Sequence, residues 1–371
     1  MSQNNIQHYY EQSLLVQKLK NTIANSQNNS KFHILLKGLI GSSLSFILKD
    51  AFENSQQPFL LIFNDKEEAA YHLNDLEQLI GEKDVLFYPG SYRRPYQIEE
   101  TDNANVLLRA EVLNRINSRK KPAVIVTYPD ALFEKVVTRK ELDKNTLKIK
   151  IEDSLSLDFL NEVLFEYKFK RVDFVTEPGE FSVRGGIVDV FSFSNDEPYR
   201  LEFFGDEVES IRTFDVETQL SKEKVSKITI IPNVENKFLN ETRESFLKYI
   251  ALNTILFSSD LELLFDRLDS FFDKAKEAFS KLSSEIKHAE PKALFVDSTL
   301  FKKELADFSL LTSGNTNSKE STSIIEFHTK PQPSFNKKFD LLIDNLNENH
   351  KKGYTNYLFC SSEQQAKRFH D

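Results

Sequence analysis

Short apolar runs alternate with predicted helices through the first 130 or so residues, and this alternation constrains the fold more than any other feature. Four runs are predicted as buried strands: Phe32–Leu36, Phe59–Phe63, Val85–Tyr88 and Ala123–Thr127. Helices are predicted between them, and Asn64 and Glu67 suit a capping box at the start of one helix. Apolar strands separated by helices are typical of a doubly wound, mostly parallel sheet. The sequence therefore predicts an α/β layer.

Beyond residue 140 or so the pattern changes to closely spaced strands. After one helix over 156–167, strands are predicted at 171–176, 180–184, 187–191, 199–204 and 207–213. Gly185-Gly186 and Gly205-Asp206 supply turn residues between them. This pattern predicts a compact α+β insert with an antiparallel sheet.

The α/β pattern resumes with predicted strands at 228–231, 254–257 and 293–296 and a helix over 260–286, while 312–323 is polar and predicted to be flexible. We expect four segments: an α/β domain at 1–137, the insert at 138–222, completion of the α/β domain at 223–330, and a linker with part of a third domain at 331–371. The last segment has no terminal stop signal, so the chain is expected to be the N-terminal piece of a longer protein.

Composition excludes several classes of function. The 48 basic and 57 acidic residues give a net charge of −9, which disfavours a broad nucleic-acid-binding surface. The single cysteine, Cys360, excludes a disulfide framework and points to a reducing compartment, so we expect a cytoplasmic protein. The histidines are scattered without metal-ligand spacing, and no apolar run approaches the length of a membrane span, so no metal and no membrane partner are expected.

A glycine-bearing turn follows the first predicted strand, where a phosphate-binding loop would lie. In the pattern G-x-x-x-x-G-K-[ST], Gly38 and Ser45 fit the first and last positions, but Ser43 replaces the second glycine and Leu44 replaces the lysine. Gly41 lies within the same turn. Because leucine cannot supply the charge that meets the phosphates, we predict a degenerate P-loop without nucleotide hydrolysis and without a bound cofactor. A plain strand-to-helix turn is the alternative.

The insert carries the densest group of charged residues. Strand alternation places Val172, Phe174, Phe181 and Val183 in the core, and Arg171, Asp173, Glu180, Ser182 and Arg184 on an exposed face. Exposed arginines on one sheet face are typical of protein contacts, although a solvated face with edge charges remains an alternative. No histidine, nucleophile or metal partner accompanies the acidic residues in this stretch, so no catalytic residue is expected.

The run RVDFVTEPGEFSVRGGIVDVF, continued by PYRLEFFGDEVESIRTFDVETQ, resembles the second domain of the UvrB-homology module. That module occurs in UvrB and at the N-terminus of the Mfd family of transcription-repair coupling factors. The degenerate turn over 38–45 is similar to the Mfd family, whose module has lost ATP binding. The segment Tyr88–Glu100 is too short for the DNA-clamping hairpin of UvrB, which also favours the Mfd family.

The resemblance implies a domain order 1a, 2, 1b, in which the inserted domain 2 recruits UvrA for nucleotide excision repair. Arg171 and Arg184 match arginines that contact UvrA, and Ser182 replaces a third such arginine. The resemblance further implies a longer parent that binds RNA polymerase and translocates on DNA with ATP and Mg²⁺, and in which a C-terminal domain masks domain 2.

Two other functions stay open at the level of sequence. One is a UvrB-like P-loop ATPase or helicase half, which requires nucleotide binding at Gly38–Ser45. The other is a direct DNA-binding module, in which the stretch Tyr92-Arg93-Arg94-Pro95-Tyr96 stacks on bases and meets phosphates. A solvated loop is the alternative for that stretch.

Overall fold

The computed structural model describes residues 4–26, 31–91, 103–118, 121–140, 146–192, 197–231, 242–282, 289–314, 323–336, 338–358, 360 and 362–370. The chain divides into two compact units, Met1–Thr329 and Lys330–Asp371. Among the described residues, no helix is both long and apolar enough to cross a membrane.

The first unit contains most of the regular structure. Its helices are α1 (Asn4–Gln12), α2 (Leu14–Ser26), α3 (Ser43–Ser55), α4 (Lys66–Ile80), α5 (Asn103–Ser118), α6 (Pro129–Phe133), α7 (Leu157–Glu166), α8 (Phe246–Tyr249), α9 (Leu261–Ser280), α10 (Pro291–Leu294) and α11 (Ser298–Leu305). Its strands are β1 (His33–Lys37), β2 (Phe59–Ile62), β3 (Val85–Tyr88), β4 (Val124–Thr127), β5 (Val136–Val137), β6 (Leu147–Lys150), β7 (Lys170–Arg171), β8 (Glu180–Arg184), β9 (Ile187–Val190), β10 (Tyr199–Phe204), β11 (Glu207–Phe214), β12 (Ser221–Lys224), β13 (Lys227–Ile230), β14 (Arg243–Glu244), β15 (Ile255–Ser258), β16 (Ser309–Ser313) and β17 (Ser323–Glu326).

The second unit contains helices α12 (Phe339–Lys351) and α13 (Glu363–His370). Between them, the described residues of 352–358 form no strand.

A parallel sheet forms the centre of the first unit, in the order β17-β1-β16-β15-β2-β4-β3. All residues of β2, β4 and β15 are buried. Alternate residues contribute to two apolar clusters: Leu60 and Ile125 belong to one, and Leu61 and Val126 belong to the other. A sheet covered on both faces needs apolar residues at every position, which explains the continuous apolar runs. The predicted α/β layer is confirmed.

The insert forms a separate sheet in the order β12-β11-β10-β9-β8-β7. Its pairs are antiparallel except for the short edge strand β7, which lies parallel to β8. Strands β6 and β13 pair antiparallel with each other, and their residues Ile149 and Ile228 join the core of the insert. The expectation that the strand at 228–231 belongs to the α/β layer is therefore wrong, because β13 pairs with β6 and packs in the core of the insert. The predicted antiparallel insert is confirmed.

Two further sequence expectations for the second half of the α/β layer are wrong. The segment predicted as a strand at 293–296 instead contains helix α10, because Pro291 occupies the first helical position, where its missing N–H has no cost. The strand that joins the sheet is β16, which overlaps the start of the polar stretch predicted to be flexible. Its partner strand β17 begins at Ser323, the end of that stretch.

Helix α4 begins one residue later than the sequence predicts. Its N-cap is Asp65, whose carboxylate accepts the backbone N–H of Glu68 at 2.8 Å. The Glu68 carboxylate in turn accepts the backbone N–H of Asn64 at 2.9 Å. The arrangement is close to the expected capping box but shifted by one residue from Asn64 and Glu67, and its second bond is made to the residue before the N-cap.

Gly38 directly follows β1 and allows the backbone of the turn to approach the backbone of Phe327 closely. Its φ is +71°, and a Cβ built on it would lie 1.9 Å from the carbonyl oxygen of Phe327. The backbone N–H of Phe327 donates to the Lys37 carbonyl at 2.8 Å, and the Thr329 hydroxyl donates to the Gly38 carbonyl at 2.6 Å. This glycine therefore holds the turn against the residues that follow β17.

Gly38→Ala is expected to lower the free energy of unfolding by about 2 to 4 kcal/mol, because it adds a backbone clash to a positive φ. Gly41→Ala is the matched control: its φ is +57°, but its Cβ would meet only the Tyr71 hydroxyl at 3.8 Å. We expect it to lower that free energy by about 1 kcal/mol. Urea-induced unfolding followed by circular dichroism measures both variants. Equal losses would contradict the proposed close approach.

Candidate protein-interaction surface

The sheet of the insert has one apolar and one polar face. Phe181, Val190 and Leu201 are fully buried on the apolar face, where Leu160 and Leu164 of α7 join the same core. The register aligns Ser182 with Asp189, Asp189 with Arg200, and Arg200 with Arg212, in one row across four strands. Because side chains alternate along each strand, this polar row lies opposite the apolar core.

The carboxylate of Asp189 is the centre of the polar row. Asp189 is fully buried and accepts two bonds from the Arg200 guanidinium, at 2.7 Å from Nε and 2.9 Å from Nη2. It also accepts a bond from Nη2 of Arg184. The hydrogen bonds to Asp189 raise the pKa of Arg200. A buried carboxylate that meets two arginines in this way has its charge compensated on both oxygens.

Arg200 also connects the polar row to the segment after β11. Its Nη1 donates to the Gln219 carbonyl at 3.1 Å, and its guanidinium lies 4.7 Å from the centroid of the Phe214 ring. The Gln219 side chain in turn donates to the Val175 carbonyl at 3.1 Å. Val175, Phe214 and Phe191 form a small apolar cluster of their own.

The segment 172–178 folds back over the polar face rather than continuing as a strand. Ser182 Oγ donates to the Asp173 carbonyl at 3.0 Å, and the Glu180 carboxylate accepts the backbone N–H groups of Thr176 and Glu177 at 3.0 and 3.1 Å. Only Lys170 and Arg171 pair with β8. The predicted strand over 171–176 is therefore wrong beyond its first residue.

Three predicted side-chain positions are wrong as a consequence. Ser182 is 2% exposed beneath the folded-back segment, so it does not lie on an exposed face. Phe174, predicted in the core, is 60% exposed. The parallel register pairs Arg171 with Phe181, so Arg171 does not share a face with Ser182 and Arg184. Paired residues of parallel strands point to the same side, which places Arg171 on the opposite side at the sheet edge.

An aromatic ring and a guanidinium meet on the outside of this segment. The Arg184 guanidinium lies 5.3 Å from the centroid of the Phe174 ring, and the Arg184 side chain stays 40% exposed. Arg171 is exposed, and no hydrogen bond or ion pair joins its side chain to another described residue. We call Phe174 and Arg184 the arginine–phenylalanine surface, and Arg171 lies apart from it at the sheet edge. Aromatic and arginine side chains are enriched at the centres of protein interfaces.

Phe174 is the residue of this surface that sequence reasoning missed. Alternation assigned it to the core because it shares the period of Val172. The sequence does contain an indication that the strand ends early. Proline and glycine follow Phe174 in the stretch Glu177-Pro178-Gly179, and such residues favour a turn over continued strand pairing.

The glycine-bearing turn adopts a structural role in the α/β layer. Leu44 is buried in the apolar cluster around α3, and the Ser43 hydroxyl donates to the Ile40 carbonyl at 2.7 Å. Ser45 is fully buried, with its hydroxyl 2.8 Å from Nδ1 of His72 and 3.0 Å from the Asp75 carboxylate. Burial lowers the pKa of His72, which favours the neutral ring in this contact. The turn thus connects α3 to α4.

The other candidate sites are placed as follows. The stretch Tyr92–Tyr96, predicted as a possible DNA contact, lies outside the described residues. Within the part of the chain that the structure describes, no group of three or more histidine, cysteine or acidic residues could hold a metal ion.

Comparison with known proteins gives one family and several relatives. Residues 147–235 match the UvrB interaction domain. The transcription-repair-coupling factor of Bacillus subtilis is 32% identical over 202 residues, which are 54% of this chain and 17% of that protein. That of Rickettsia bellii is 31% identical over 215 residues, covering 56% of this chain and 19% of the relative. The transcription-repair-coupling factor of Myxococcus xanthus is 29% identical over 248 residues, which are 63% of this chain and 21% of that protein. The matches thus span about a fifth of the length of these relatives.

Asp189→Ala is expected to lower the free energy of unfolding by about 3 kcal/mol, because it leaves the guanidinium groups of Arg184 and Arg200 without their shared carboxylate. Asp173→Ala is the matched control on the exposed segment, and we expect a change within about 0.5 kcal/mol. Urea-induced unfolding, followed through the amide signals of the insert, measures both. Similar losses in the two variants would contradict the role given to Asp189.

Proposed function

Because the chain carries a UvrB-homology module of the transcription-repair-coupling type, we propose that it is an adaptor that recruits UvrA. In this proposal the insert binds UvrA, and a longer parent brings it to RNA polymerase stalled at a DNA lesion for nucleotide excision repair. The observation that carries the proposal is the match of residues 147–235 to the UvrB interaction domain, the same stretch that bears the arginine–phenylalanine surface.

The chemistry of the arginine–phenylalanine surface supports a protein partner. Phe174 offers apolar area that water would leave on binding, and the neighbouring Arg184 offers donors to a carboxylate of the partner. Asp189 holds the Arg184 guanidinium in place, so little side-chain entropy remains to be lost on binding. Arg171 lies on the other side at the sheet edge, where it would contact the rim of the partner.

Ser182 has a different role in this proposal from the one its sequence position implies. Its hydroxyl holds the segment 172–178 on the sheet through the Asp173 carbonyl, and its burial keeps it from the partner. It therefore positions Phe174 rather than touching UvrA.

The proposal includes no ATP hydrolysis by this chain. A lysine that meets the phosphates would need to replace Leu44, which is part of the apolar core. The hydroxyl that would hold Mg²⁺ belongs to Ser45, which is fully buried against His72 and Asp75. ATP and Mg²⁺ are proposed to act only in a translocase motor of the longer parent. That parent is also proposed to contact RNA polymerase and DNA and to mask the insert with a C-terminal domain.

We expect the double variant Phe174→Ala, Arg184→Ala to weaken binding of cognate UvrA by about 30-fold or more, because both side chains lie at the proposed centre of the contact. Arg171→Ala is expected to weaken it by about threefold to tenfold, as a rim charge. Isothermal titration calorimetry with purified UvrA measures these affinities.

Phe204→Ala is the matched control for this experiment. Phe204 is an aromatic residue of the same insert, 80% exposed, at the turn between β10 and β11. We expect its variant to bind UvrA within about twofold of the unchanged chain. An equal loss in the control would reject the named surface, and absence of binding by the unchanged chain would reject the adaptor function.

In a titration with Mg-ATP up to about 1 mM, the backbone amide NMR signals of Gly38–Ser45 are expected to stay unchanged, because the turn lacks a charge partner for the phosphates. A protein with an intact G-x-x-x-x-G-K-[ST] loop serves as the positive control. Micromolar affinity near Gly38–Ser45 would instead favour the ATPase alternative.

A further inference from the structure

An open cavity of about 270 Å³ lies at the amino ends of three neighbouring strands of the parallel sheet. Pro58, Ala123 and Thr254 line it, and they directly precede β2, β4 and β15. The glycine-bearing turn, in contrast, follows the carboxyl end of β1, at the opposite edge of the sheet. The cavity is therefore separate from the degenerate nucleotide loop, and it does not include the arginine–phenylalanine surface of the insert.

The charge of this cavity is opposite to that of the chain. Arg115, Lys121 and Arg139 line it, and no aspartate or glutamate is among its described lining residues, although the net charge of the chain is −9. Arg115 is paired with Glu111 on the same helix. Lys121 is exposed, and no ion pair joins its ammonium to another described residue. Arg139 lies near the carboxylate of Glu244, which is not among the residues that line the cavity. Lys121 and Arg139 together provide positive charge for an anionic ligand.

Arg139 is held in a fixed orientation before any ligand binds. Its Nη2 donates to the Tyr249 carbonyl at 2.7 Å, and its guanidinium lies 5.2 Å from the centroid of the Tyr249 ring. The buried Tyr249 is fixed in turn, because its hydroxyl accepts a bond from the Asn117 side chain at 2.6 Å. A guanidinium has five N–H donors, so Arg139 keeps donors for an oxyanion.

The rest of the lining suits a flat organic group. Pro58, Ile116 and Ile250 provide apolar walls, and Gln56 and Asn253 provide amide groups beside them. Apolar walls with a few polar side chains are the usual composition of a small-molecule site. We infer that the cavity binds a small phosphomonoester of about nucleotide size, with its dianionic phosphate at Lys121 and Arg139 and its ring against the apolar walls.

Titration of the full chain with adenosine 5′-monophosphate tests this inference, with adenosine and inorganic phosphate as the comparison probes. We expect the monophosphate to bind at least about tenfold more tightly than either, because only it offers both the charge and the ring. Calorimetry gives the affinities. Methyl NMR signals of Ile116 and Ile250 are expected to shift with the monophosphate, which locates the bound ring.

The double variant Lys121→Gln, Arg139→Gln is expected to weaken monophosphate binding by at least about tenfold. Lys140→Gln is the matched control, since Lys140 is exposed next to Arg139 but does not line the cavity. We expect it to bind within about twofold of the unchanged chain. Thermal unfolding of each variant separates loss of binding from loss of fold.

Three outcomes would overturn the inference: equal affinity for adenosine and its monophosphate, absence of methyl shifts at about 10 mM ligand, or equal weakening in the Lys140 control. Preferential binding of a single-stranded oligonucleotide with steep salt dependence would also overturn it, since that result describes a nucleic-acid surface. UvrA affinity of the double variant is expected to be unchanged, so failure here is distinguishable from failure of the proposed function.

Discussion

The proposed binding surface depends on the buried carboxylate of Asp189. A charge removed from water is tolerated only when partners compensate it, and here two guanidinium groups do so. Arg200 extends the network to the Gln219 carbonyl, and Gln219 reaches Val175 in the folded-back segment. Arg184 extends it outward, to the exposed ring of Phe174. One buried ionic centre therefore fixes the sheet, the segment that covers it and the side chains that face solvent.

The α/β layer packs the glycine-bearing turn into its own core. Residues at the positions of a phosphate-binding loop contribute to packing instead: Leu44 joins the core, and Ser45 bonds to His72 and Asp75. Gly38 keeps its positive φ because the backbone of Phe327 approaches it closely. These contacts give the glycine-bearing turn a structural role in the α/β layer.

Continuous apolar runs such as β2 and β4 could be predicted from sequence because both faces of the parallel sheet are covered. β16 and β17 could not, because polar serine and threonine residues interrupt the pattern there. The sequence predicts the sheet of the insert, but it wrongly predicts a buried Phe174 and an exposed Ser182. Alternation holds only while a strand continues, and β7 ends at Arg171. Its register against β8 is a non-local pairing that periodicity does not reveal.

Hydrogen exchange of the chain with and without UvrA, read by mass spectrometry, tests the central claim most directly. Binding through the surface held by Asp189 predicts slower exchange in peptides that cover 170–186, with little change in peptides that cover 38–45 or the turn at Gly205. Slower exchange confined to other parts of the chain, with UvrA bound, would contradict the account.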